Sequence, residues 1–76
     1  MKKDVLRQAG YDYDFELMLY FNRQAKKAFS VEFVDDHNES ELERHVREEV
    51  DKNGWQFYFN SPPSDSVKRE LERALG

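Results

Sequence analysis

Two histidines, a scatter of carboxylates and a few serines are the side chains in this 76-residue chain with chemistry to offer. His37 follows Asp35-Asp36 between two apolar stretches, and His45 stands four positions before Glu49 in a charged stretch with helical spacing. A zinc site wants three or four converging nitrogen, sulfur or oxygen ligands. The chain has two histidines and no cysteine, and no spacing sets His37 on the face of His45. Two solvent-exposed histidines are expected, with no metal and no cofactor. Glu32 is the carboxylate that strand alternation would place on a sheet beside Tyr20 and Tyr58. Burial would raise its pKa and make it a general base, and a small enzyme built on that residue is one functional alternative. Ser30, Ser61, Ser64 and Ser66 have no nucleophile-elbow context, and the last three fit turns and helix caps better.

Binding chemistry is richer than catalytic chemistry. Tyr11-Asp12-Tyr13-Asp14 alternates phenols and carboxylates. It fits either an acidic aromatic contact loop for a basic partner or, more simply, a Tyr13 that extends a core face begun by Phe15. Lys27-Ala28-Phe29-Ser30-Val31-Glu32-Phe33 has the basic, small, aromatic opening of the sheet motif of RNA-recognition domains. However, Val31 and Glu32 stand where that motif needs an aromatic and an aliphatic residue. The formal net charge of −4 has the wrong sign for nucleic acid, so nucleic acid is not the expected partner. The glycines at 10, 54 and 76 are isolated, which leaves no phosphate-cradling loop. Met1-Lys2-Lys3-Asp4 is followed by no apolar run, so neither a secretory signal nor a membrane span is expected. A cytoplasmic location is the default.

The elements that must position these residues are read from the aromatics. All eleven lie in two windows, Tyr11 to Phe33 and Trp55 to Phe59. Within the windows Phe15, Phe21, Phe29, Phe33, Trp55, Phe57 and Phe59 keep one parity, the period of a strand. A first strand is predicted over about 13–21, with Phe15, Leu17, Leu19 and Phe21 inward. Residues 22–27 form a polar hairpin connection. A second strand spans about 28–34 with Phe29, Val31 and Phe33 inward, and a third spans 55–60 with Trp55, Phe57 and Phe59 inward.

Helices account for the rest. Residues 2–9 fit a short helix or a flexible lead, ended by Gly10. Asn38 or Ser40 caps a helix running to about Asp51, with Leu42, Val46 and Val50 as its apolar stripe. Glu43–Arg47, Arg44–Glu48 and Glu48–Lys52 are spaced as ion pairs on its wet face. Ser61-Pro62-Pro63-Ser64 breaks the chain, and a last helix carries Val67, Leu71, Ala74 and Leu75.

The expected fold is a single α+β domain over 1–76, (α)ββαβα. It is a two-layer sandwich with a three-stranded, mainly antiparallel sheet in order 2-1-3 and helices on one face. That architecture leaves one sheet face uncovered, holding Met18, Tyr20, Glu32, Val34 and Tyr58. An open apolar patch of this kind marks a contact surface. The expected function is therefore a non-enzymatic interaction or regulatory module, a homodimer through that face or a binder of another protein. A small-ligand or peptide site on the same face is the first alternative.

Overall fold

The computed structural model describes residues 1–51 and 53–76, and the chain is α+β as expected. Among the described residues, four helices and four strands follow the order α1 (Lys2–Gln8), β1 (Asp12–Asp14), β2 (Leu19–Asn22), β3 (Lys27–Ser30), α2 (Val31–Asp36), α3 (Glu39–Arg47), β4 (Gln56–Tyr58) and α4 (Asp65–Leu75). The sheet is four-stranded in order β1-β2-β3-β4, antiparallel at its first two junctions and parallel between β3 and β4. This corrects the three-stranded 2-1-3 arrangement. The segment 13–21 is not one strand but a hairpin, and the last strand pairs with β3 instead of joining β2.

Side chains of the first window explain the break. Asp14 Oδ1 accepts the N–H groups of Glu16 and Leu17, closing a turn over Phe15–Met18. Met18 completes the turn in the left-handed region at φ 55°. The next hairpin repeats the device: Asn22 Oδ1 accepts from the Ala25 N–H, and Lys26 takes φ 55°. The second expected strand, 28–34, is corrected as well. Ser30 ends β3 by accepting the Phe33 N–H as a helix cap, so Val31 to Val34 are helical and not strand.

Cross-strand register decides the faces. Tyr13, Tyr20, Phe29 and Tyr58 stand in one row, and Phe21, Ala28 and Phe57 in the neighbouring row on the opposite face. Phe29 therefore sides with the tyrosines and not with Phe57. Both faces carry cores. Leu6 of α1, Phe33 and Val34 of α2 and Leu42 of α3 pack with Tyr11, Phe29 and Tyr58 on the first face. Leu75 and Leu71 of α4 pack with Leu19, Ala28, Trp55, Phe57 and Phe59 on the second. Helices thus cover both sides, three on one and one on the other, in place of helices on one side only.

The helix ends follow local chemistry. Gly10 at φ 93° closes α1: its N–H reaches the Arg7 carbonyl, and the Tyr11 N–H reaches that of Leu6. Asn38 and Glu41 form the reciprocal capping box of α3. α3 stops at Arg47, short of the expected Asp51, because the buried Lys27 ammonium donates to the carbonyls of His45, Val46 and Glu48. Glu43–Arg47 and Arg44–Glu48 form no ion pair among the described residues, and Glu48–Lys52 lies outside them. Ser64 caps α4 as anticipated, and Arg23 Nε holds its end at the Leu75 carbonyl at 2.6 Å. Among the described residues, no helix is long and apolar enough to cross a membrane.

Candidate functional site

The β1–β2 hairpin is where exposed apolar surface gathers. Phe15, expected in the core, is 85% exposed, and Met18 is 58% exposed at the other end of the same turn. The turn built on Asp14 lifts both off the sheet. Tyr13 on β1 meets Phe15 edge-on with ring centroids 4.9 Å apart, and its other side leans on Tyr20 of β2 at 4.8 Å. The three rings form the floor and lip of an open groove of about 500 Å³, whose far wall is α1 with Lys3 and Arg7. Partial burial, with Tyr13 beside it, pushes the Tyr20 phenol up, while the Arg7 charge pulls it the other way.

Charges of both signs rim this groove. Lys3 and Arg7 stand on α1, on the first face of the sheet. Asp12 lines the groove as well, and Asp14 follows at the far end of β1, opposite Leu19. None of these four, nor Glu16 beside Phe15, makes an ion pair among the described residues.

The backbone of β1 offers little to a partner. The Gln56 N–H reaches the Lys26 carbonyl across the parallel junction, and the Val31 N–H reaches that of Met18 across the neighbouring one. These bonds fix the ladder parity, so that Phe29 exchanges bonds with Tyr20, and Leu19 and Phe21 turn theirs toward Asp14 and Asp12. Within β1, only Tyr13 turns its N–H and C=O away from the sheet.

The five residues expected to share an open face are divided by the structure. Met18 and Glu32 do meet, in a smaller groove of about 260 Å³ with Leu17, Val31 and Phe59. Tyr20 belongs to the larger groove on the other side of the hairpin. Val34 and Tyr58, with exposures of 5% and 6%, lie in the core under α1, α2 and α3. The open face they were assigned to is covered, because residues 31–34 are helical. Phe15, Tyr13, Lys3 and Arg7 are the surface residues that strand alternation missed. The signal for Tyr13 and Phe15 was Asp14, spaced before its turn as Asn22 is before the next.

A second polar cluster sits at the end of α3. The Tyr58 hydroxyl donates to Glu48 Oε1, and His45 Nδ1 lies 3.4 Å from the same oxygen. The Tyr58 bond, helped by His45 and the Lys27 charge and opposed by burial, lowers the Glu48 pKa. Burial first, then Glu48, raises that of Tyr58. A carboxylate held in its ionised form and a phenol held in its protonated form make a poor base and a poor acid at neutral pH.

The histidines are also placed differently from expectation. Both are partly buried, His37 stacks on Phe33 at 3.8 Å, and the two imidazoles are 6.2 Å apart. His37 Nδ1 is engaged with the Phe33 carbonyl at 2.7 Å. Among the described residues no three metal-ligating side chains converge. Glu32, the expected base, is exposed in the first turn of α2 and is separated from Tyr58. Comparison of the chain with models of protein families, with curated proteins and with solved structures finds no match.

Proposed function

We propose that this chain is a non-enzymatic protein-interaction module and that the β1–β2 hairpin is its contact surface. The observation that carries the reading is Phe15. A phenylalanine at 85% exposure, backed by Tyr13, which in turn leans on Tyr20, is held up by a side-chain-locked turn. Aromatic residues in such a setting are the usual anchors of protein interfaces. The groove beside it is wide and open, a form that suits a protein surface better than an enclosed small molecule. The titratable cluster at Glu48 and Tyr58 supports the same reading from the other side, since its groups serve the end of α3.

Site-specific photocrosslinking tests this. A benzophenone side chain at position 15, in extract of the source cells, is expected to give discrete adducts that excess parent protein competes away. Excess Phe15→Ser protein should compete far less. The same group at Val67, an exposed apolar position on α4, serves as control. Equal adducts at both positions, or none at position 15, would remove the hairpin as the contact surface.

A further inference from the structure

We infer that the occupant of the hairpin groove is a second copy of this chain, seated about a two-fold axis; this rests on the hairpin being the contact surface. An isologous interface must be complementary to itself. Here one patch holds an aromatic knob, Phe15, and an aromatic floor, Tyr13 and Tyr20. It also holds charges of both signs, Lys3 and Arg7 against Asp12 and Glu16, none paired within the described chain.

The charges argue against a plain extension of the sheet. Edge-to-edge extension of the sheet, with the axis normal to it, would pair β1 antiparallel with its copy about Tyr13. Asp12 would then oppose the second copy's Asp14, and like charges directly opposite across strands are destabilising. That arrangement would also rest on the outward N–H and C=O of Tyr13, the one residue of β1 that turns them away from β2. A second copy seated in the groove instead brings its Asp12 and Glu16 to the first copy's Lys3 and Arg7, which line that groove with Asp12. Phe15 of each copy reaches the tyrosines of the other. The net charge of −4 alone would push two copies apart. The local placement of Lys3 and Arg7 is what offsets that repulsion.

Analytical ultracentrifugation of the full chain, from micromolar to millimolar concentration, reads the outcome. The parent should show a monomer–dimer equilibrium, and Phe15→Ser should weaken it by about tenfold or more, the effect of losing an interface anchor. Two further chains test the charges. Asp12→Lys with Glu16→Lys leaves the patch basic, and Lys3→Glu with Arg7→Glu leaves it acidic. Each should fail to self-associate, and the two mixed should form a one-to-one dimer that is again weakened by Phe15→Ser in both partners. All these positions lie outside the two cores, and circular dichroism confirms that each chain is folded.

A parent that stays monomeric at millimolar concentration overturns the inference, as does a dimer indifferent to Phe15→Ser. If either occurs while position 15 still crosslinks to a different protein, the second copy is wrong and the contact surface stands. If position 15 gives no competed adduct, both fail.

Discussion

Tyr11 and Tyr58 bury their hydroxyls in the same core, with opposite accounts. Tyr58 donates to Glu48, whereas the Tyr11 hydroxyl has no hydrogen-bond partner among the described residues. Leaving a buried hydroxyl unpaired costs on the order of 1–3 kcal/mol, and a bond to a charged group contributes about 1.5–3 kcal/mol. Tyr11→Phe should therefore stabilise the protein by about 1 kcal/mol, while Tyr58→Phe should destabilise it by about 1–2 kcal/mol, the low end because Glu48 can rehydrate. Urea unfolding at neutral pH measures both. A Tyr11→Phe protein clearly weaker than the parent would mean that the hydroxyl has a partner. The pair also sets the alkaline limit. Burial pushes the Tyr11 phenol up to about 12 and raises Tyr58 as well, from an ordinary value of 10.0. A folded-state pKa above the unfolded one gives stability that is complete below pH 10 and is lost as pH rises through the folded value. Stability should fall above pH 10, and Tyr11→Phe should gain on the parent in that range.

At the scale of elements, the capped helices were legible and the strands were only half so. Asn38 with Glu41, and Ser64 before Asp65, mark helix starts by chemistry that needs only the nearest residues. Alternation could not say where a strand turns, because Asp14 to Leu19 keeps apolar residues at the strand period through a hairpin loop. Nor could it say that both faces would be covered, since that depends on where α4 returns. The end of α3 was out of reach for a similar reason. Its cap is Lys27, eighteen or more residues earlier in the chain. Met18 separates backbone from surface roles. It sits at φ 55°, where a non-glycine residue costs roughly 1–2 kcal/mol and a β-branched one fares worse. Met18→Val should lower stability by about 1–2 kcal/mol, and Met18→Asn, which tolerates this region, should match or exceed the parent. Equal urea midpoints for the valine and asparagine variants would show that the turn does not hold Met18 in that conformation.

For the whole molecule, the sheet is a wall shared by two small cores, and neither is large enough to stand alone. Leu42 is fully buried on the α3 side, and Leu75 is 1% exposed on the α4 side, in separate clusters that meet only through the strands between them. A chain of 76 residues is stable by roughly 4–11 kcal/mol at typical values per residue. Truncating a buried leucine to alanine costs about 2–5 kcal/mol. Leu42→Ala and Leu75→Ala should each leave a folded protein with a lower midpoint, and their losses should add, because the two sites share no packing partner. The double variant then falls at or below the limit of folding. If the halves were independent, each single variant would melt in two steps, with the core on the other face unfolding at the parent temperature. The strands argue against that. Phe29 faces one core and Ala28 the other along the same four residues of β3, which is bonded on both sides. Losing either core frees the strand that the other is built on. A single calorimetric transition in both single variants, with Trp55 fluorescence and far-ultraviolet dichroism changing together, is the expected result. Two resolved transitions would divide the molecule where this reading joins it.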